Sequence, residues 1–177
     1  MTRITLEKVT RSDSADLFRL WSDFETVKFT NWAHLTSSDQ CDRIVERMLR
    51  RYDPSTSRVG PFVIRSSEGE FLGLIGLDVP EPFEGAHELW YLIRRDRWNL
   101  GYGGAAIAEV LRTLAEFPQV KRMVATAVAA NIGSWRLLER NGFSRTGVIA
   151  GGFERHGLKL DLFEYARAVP SGTLEER

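Results

Sequence analysis

The stretch Arg94-Arg95-Asp96-Arg97-Trp98-Asn99-Leu100-Gly101-Tyr102-Gly103-Gly104-Ala105-Ala106 decides how this chain is read. It follows His87 to Arg94 (HELWYLIR), an apolar run that reads as a strand. It leads into a segment with Ile107, Val110, Leu111 and Leu114 at helical spacing. Strand, glycine turn and helix start therefore come in that order. The glycines Gly101, Gly103 and Gly104 allow positive φ and close approach of a ligand to the backbone. The first amides of the helix have no intrahelical partner, and with the helix dipole they make an anion site suited to a pyrophosphate. Arg94, Arg95 and Arg97 are expected to add charge at its rim.

Three phosphate motifs compete for this turn. A P-loop needs Lys-Ser or Lys-Thr after its last glycine, where this chain has Gly104-Ala105. The dinucleotide pattern G-x-G-x-x-A is matched by Gly101, Gly103 and Ala106. That fold also needs an acid at the end of the next strand to hold the ribose, and here the strand ends Val128-Ala129-Ala130-Asn131. A glycine-rich helix cap without any ligand stays open on this segment alone.

Working outward, Val120 to Ala129 alternates as a strand, Ile132 to Arg140 reads as a short helix, and Asn141-Gly142 stops it. Phe143 to Ile149 and Leu158 to Ala166 read as two closing strands. On the other side, Pro61 to Arg65 and Phe71 to Val79 flank Ser66-Ser67-Glu68-Gly69-Glu70, a hairpin signal, and Pro80-Glu81-Pro82 breaks the run. Asp53 to Ser57 reads as a loop. Near the start, Ile4, Leu6 and Val9 sketch a strand, and Ser12 and Asp13 suit as caps of a helix bearing Leu17, Leu20 and Trp21. Ser22 to Ser38 reads as irregular with one helical turn, and Asp39 to Tyr52 as an amphipathic helix. The order is that of an α+β protein. No repeat or linker divides it, so residues 1–168 are expected to form one domain, with 169–177 a flexible tail.

With 43% apolar and 27% charged residues in 177, the chain is too apolar for disorder and long enough for a core. Lys plus Arg balance Asp plus Glu at 24 each, which removes the global basic field of a nucleic-acid binder. The single cysteine, Cys41, cannot form an internal disulfide and stands among helical polar residues with no Cys/His cluster for a metal. No apolar run approaches the roughly 20 residues that cross a bilayer, and no apolar leader is seen. The expectation is a cytoplasmic protein with no metal, no membrane and no nucleic-acid partner.

The turn resembles motif A of the GCN5-related N-acetyltransferases (GNAT), whose pattern is Q/R-x-x-G-x-G/A. Gly101 and Gly103 match its glycines, and Trp98 stands where Gln or Arg is usual. A tryptophan there is similar to the subgroup containing the ribosomal-protein-alanine N-acetyltransferases. Asn131-Ile132-Gly133-Ser134-Trp135-Arg136-Leu137-Leu138-Glu139-Arg140-Asn141-Gly142-Phe143 resembles that subgroup's N-x-x-S-x-x-x-x-E-x-x-G-F. So do Arg155 to Ala166, Arg3 to Leu6 and Trp21 to Val27, so that the resemblance covers nearly the whole chain.

The resemblance implies a three-layer α/β/α fold with about four helices. Its mixed, mostly antiparallel sheet has six to seven strands and splays between strands 4 and 5. It implies an acetyl-CoA-dependent acyltransferase that acetylates a primary amine, on a peptide N-terminus or a small molecule, by direct attack in a ternary complex. A homodimer is compatible with it. Asn99, Leu100, Gly101, Tyr102, Gly103 and Gly104 would hold the pyrophosphate; Tyr91, Leu92 and Ile93 would pair with the pantetheine amides; Asn131 would contact the cofactor. Ser134 would protonate the leaving thiolate, because the tyrosine that the wider family carries seven residues after the Asn is here Leu138. Glu154, expected in a loop over the acceptor mouth, and Glu88 are the candidate bases, with His87 and His156 behind them. Glu139 and Arg136 suit a solvated helix face. Phe24, Phe29, Trp32, Phe83 and Trp90 are core by their nature, some of them walling the acceptor groove. The alternative from another class is a non-catalytic acyl-CoA-binding sensor.

Overall fold

The computed structural model describes residues 3–51, 59–79, 85–114, 120–155 and 157–169. The expected Asp53–Ser57 loop, the Pro80-Glu81-Pro82 break, Phe83, His156 and the tail from Pro170 lie outside them. Among the described residues, seven strands form one sheet in the order β1-β2-β3-β4-β5-β7-β6, and five α-helices accompany it. The chain divides into two compact units. The first comprises residues up to Asp78 with Trp90–Ala106, and the second Val79–Leu89 with everything from Ile107 on.

In the first unit, β1 (Ile4–Lys8) pairs antiparallel with β2 (Val59–Ser66), and β2 with β3 (Phe71–Asp78). The expected hairpin closes where Ser66 N–H donates to the Glu70 carbonyl at 2.9 Å, with Gly69 at φ +83°. β3 is buried along nearly its whole length, consistent with its central place. Helices α1 (Ser14–Ser22), the single turn α2 (Phe24–Val27) and α3 (Ser38–Arg51) supply Leu17, Leu20, Trp21, Val27 and Val45 to its core. Cys41 belongs there as well, fully buried, and not among polar residues as its sequence neighbours suggest. Burial raises its thiol pKa, so it behaves as a small apolar residue. Asp13 is also buried. Its carboxylate does not cap α1 but turns back to accept from the Thr10 amide at 2.7 Å and from the Arg65 guanidinium.

The strand β4 (Ala86–Ile93) belongs to both units. Backbones run unusually close on its β3 side: a Cβ at Gly73 would fall on the Leu92 carbonyl, so only glycine fits. Gly76 likewise makes room for the Trp90 indole, which lies 5.3 Å from Trp32; Trp32 in turn stacks on Trp21 at 5.2 Å.

In the second unit, Ala86, His87 and Glu88 pair in parallel with Arg122, Met123 and Val124 of β5 (Arg122–Val128). Among the described residues this parallel register spans three pairs. β5 pairs antiparallel with β7 (Leu158–Ala168), and β7 with β6 (Ser144–Arg155). β6 is therefore longer than the expected Phe143–Ile149. The Gly151-Gly152 pair reads as a break but is a bulge, with a register shift between Ile149 and Phe153 and Gly151 at φ +60°. The Asp161 carboxylate on β7 holds it by accepting the Gly151 N–H at 2.8 Å.

Two helices complete the fold. α4 (Tyr102–Leu114) buries Ala106, Ile107, Val110 and Leu114, and α5 (Ile132–Arg140) buries Leu138.

Candidate functional site

The glycine turn opens α4 as its sequence implies, but by a different division of labour. Positive φ falls on Asn99 (+60°) and Gly101 (+85°), while Gly103 and Gly104 are already helical. Asn tolerates the left-handed region better than other side-chain-bearing residues, which suits it to the first position. The amide of Ala105 donates to the Gly101 carbonyl at 3.0 Å and starts the intrahelical ladder. The amides of Tyr102, Gly103 and Gly104 precede it, at the positive end of the dipole. Beside Tyr102, that first turn holds two consecutive glycines, which add no side chains to it.

The arginines expected at the rim are mostly committed elsewhere. Arg94 donates to the Glu70 carboxylate (3.0 Å), the Phe71 carbonyl (2.9 Å) and Asp96 (2.7 Å), and Arg97 donates to Glu70 at 2.6 Å. The hydrogen bond from Arg97, then the charges of both arginines, hold the Glu70 carboxyl below the usual carboxylate range. This clamp fixes the 3-10 turn Arg95–Arg97 to the β2–β3 hairpin. Arg95 is exposed. The sequence did not single out Glu70, though its signal was present: two arginines three residues apart, both in need of a carboxylate. Trp98 closes the turn from its other end, donating its indole N–H to the Ile93 carbonyl at 2.8 Å.

The end of β4 sorts its three candidate residues. The Leu92 carbonyl faces β3, and so does the Arg94 N–H, which donates to Leu72 at 2.9 Å. Alternation along a strand then turns the backbone groups of Tyr91 and Ile93 to the opposite edge. The Ile93 carbonyl is taken by Trp98, and the Leu92 side chain is core. Of the residues expected to contact pantetheine, Leu92 thus turns its carbonyl toward β3, while Tyr91 and Ile93 turn their backbone groups away from it.

The second unit holds the other candidates. Asn131 caps α5, its side-chain oxygen accepting the Ser134 N–H at 3.3 Å. Ser134 is half-buried in the first turn, and Trp135 beside it donates to the Ala129 carbonyl at 3.2 Å. Glu88 is half-buried on β4 beside the fully buried His87. Glu154 is not in a loop: it lies in β6 opposite Lys159 and is exposed. Glu139 lies on an exposed helix face, as expected, and still has partners on β7 and β6. It accepts from the Tyr165 hydroxyl at 3.1 Å, and Arg145 approaches both.

Residues 3–144 match the family described as acetyltransferase (GNAT) domain. The uncharacterized N-acetyltransferase p20 of Bacillus licheniformis is 21% identical over 164 residues, spanning 93% of this chain and 92% of its own. The uncharacterized N-acetyltransferase YoaA of Bacillus subtilis is 23% identical, over 95% and 94%. Among solved structures, RimL, a ribosomal L7/L12 alpha-N-protein acetyltransferase in complex with coenzyme A, superposes with a TM-score of 0.85 at 18% identity over 97% of each chain. Spermidine N-acetyltransferase from Vibrio cholerae, in complex with CoA and spermine, does so at 0.80 and 16%, over 94% and 95%. A family match over most of the chain, on a seven-stranded sheet whose β4 leads through a glycine turn into α4, is enough to place it: the chain belongs to the GNAT family of acetyl-CoA-dependent N-acetyltransferases.

Proposed function

We propose that this protein moves the acetyl group of acetyl-CoA to a primary amine, a peptide N-terminus or a small-molecule amine, by direct attack in a ternary complex. The observation that carries the reading is the Asn99–Gly104 turn, whose positive φ values at Asn99 and Gly101 and whose Gly103-Gly104 pair at the start of α4 suit an anion cradle. Similarity to CoA-bound acetyltransferases of the same fold supports it.

In this reading the cradle takes the pyrophosphate, and the edge of β4 at Tyr91 and Ile93 takes the pantetheine amides. Asn131 adds a cofactor contact through the amide nitrogen that its capping role leaves over. The amine nitrogen attacks the thioester carbonyl carbon. The tetrahedral intermediate collapses, the C–S bond breaks, and the amide forms. Ser134 gives its proton to the departing thiolate. The amine loses its extra proton to Glu88, directly or through water, or to Glu154. Of the two, Glu88 has the more enclosed position. Backbone N–H groups along β4 stabilise the oxyanion.

The test is turnover of acetyl-CoA, read as free thiol, against peptides with free Ala, Ser and Thr N-termini and against small amines. Thiol release that depends on an amine establishes transfer. CoA binding with no release on any amine would reduce the protein to a binding module.

A further inference from the structure

Helix α5 has nine residues, too few to be stable on its own, so its orientation is imposed by what grips it. One grip is at Trp135, whose indole N–H holds the Ala129 carbonyl and whose ring meets the edge of Phe163, centroids 6.4 Å apart. The other is one turn later. Glu139 accepts the hydroxyl of Tyr165, a β7 residue 1% exposed, which lies in register with Ala125 of β5 and Arg145 of β6. Arg145 completes a triangle: its Nε donates to the Tyr165 hydroxyl at 3.3 Å, its Nη2 lies 3.5 Å from Glu139, and its guanidinium rests 3.8 Å from the Phe163 ring. Burial, with the Glu139 carboxylate beside it, pushes the Tyr165 hydroxyl pKa up, so it remains a donor at neutral pH.

We infer that Glu139 is a positioning residue for acetyl transfer, setting through Tyr165 and Arg145 the roll of α5 and hence the direction of the Ser134 hydroxyl. The inference rests on the proton-donor reading of Ser134. Trp135 and Glu139 are four residues apart and lie on one face, so two fixed points along that face leave the helix no freedom to turn. Ser134 adjoins Trp135, and its direction follows. Loss of the Glu139 grip leaves the C-terminal half of α5 held by the buried Leu138 and the Asn141 cap, without the polar contact that fixes its roll. A misplacement of about 1 Å in a reacting group costs on the order of 100-fold in rate.

The experiment compares Glu139→Ala, Glu139→Gln and Tyr165→Phe in the full chain, alone and combined with Ser134→Ala. Glu139→Ala and Tyr165→Phe are expected to lower kcat at least tenfold, with acetyl-CoA KM and CoA affinity within about twofold. Glu139→Gln keeps an oxygen for the Tyr165 hydroxyl and should retain most activity. On a Ser134→Ala background, Glu139→Ala should cost nothing more, because nothing remains to be aimed. Unchanged kcat in Glu139→Ala while Ser134→Ala is crippled overturns the inference alone. A loss that multiplies with that of Ser134→Ala overturns it too. A silent Ser134→Ala removes the proton-donor reading, and the inference falls with it.

Discussion

The indole N–H of Trp98 and the carbonyl of Ile93 meet at 2.8 Å, tying the start of the glycine turn to the last residue of β4. Trp98 occupies the place where the family's motif usually carries Gln or Arg, and here that side chain braces the turn instead of facing phosphate. Trp98→Phe keeps the ring and removes the donor. One such bond is worth about 1 kcal/mol, so CoA affinity by calorimetry should fall about fivefold with kcat at saturation little changed. Equal affinity in parent and variant would show that the turn holds its shape without this bond.

Gly103 sits in the first turn of α4 with no side chain. Gly103→Glu places bulk and a negative charge where the pyrophosphate is to lie. CoA at about 100 times its dissociation constant should stabilise the parent by roughly 2.7 kcal/mol. Thermal shift should show this for the parent and nothing for the variant. A variant that responds to CoA as the parent does would move the cradle away from this turn.

The two candidate bases separate by substitution. Glu88→Gln is expected to lower the kcat plateau and remove the acidic limb of its pH profile, with losses of about 10²-fold or more if the carboxylate takes the proton. Glu154→Gln, exposed on β6, is expected to do less. The reverse ranking would give the role to Glu154. Two unchanged profiles would mean that solvent deprotonates the amine.

The clamp of Arg94 and Arg97 on Glu70 has a definite pH signature. The Glu70 pKa is lower folded than unfolded, chiefly through the Arg97 hydrogen bond. Its contribution is therefore complete above the unfolded value of about 4.3 and disappears as pH falls through the lower folded value. Melting temperatures of the parent and Glu70→Gln should differ at neutral pH and converge on acidification. A gap that widens toward acid would reverse the sign and refute the clamp.

What the sequence made legible was local. The helix Ile132–Arg140 was bounded by Asn131 and Gly142, residues whose chemistry caps helices, and the structure has the same limits. The α4 stripe and the Ser66–Glu70 hairpin carried equally local signals. What escaped was decided by partners far along the chain. Gly151-Gly152 reads as a turn until Asp161, on the neighbouring strand, holds it as a bulge. Glu139 is exposed as its sequence suggests, but its bond from Tyr165, 26 residues later, was not visible in it. Arg94 and Arg97 suggest anion binding until Glu70 is seen to satisfy them. Of the candidate site, the glycine turn before α4 was readable because a few adjacent residues build it, whereas the directions of Leu92 and Glu154 depend on sheet register.

Gly73 gives the fold a position where selection acts on architecture alone. The Leu92 carbonyl occupies the space of any side chain there, and Leu92 adjoins the backbone groups assigned to pantetheine. In a saturation library sorted for soluble expression, before any enzymatic screen, residue 73 should return glycine while exposed neighbours such as Glu68 vary freely. Invariance at 73 would then report the spacing of two strands and carry no information about the acceptor, which guards against reading every immutable residue near the cofactor as chemistry.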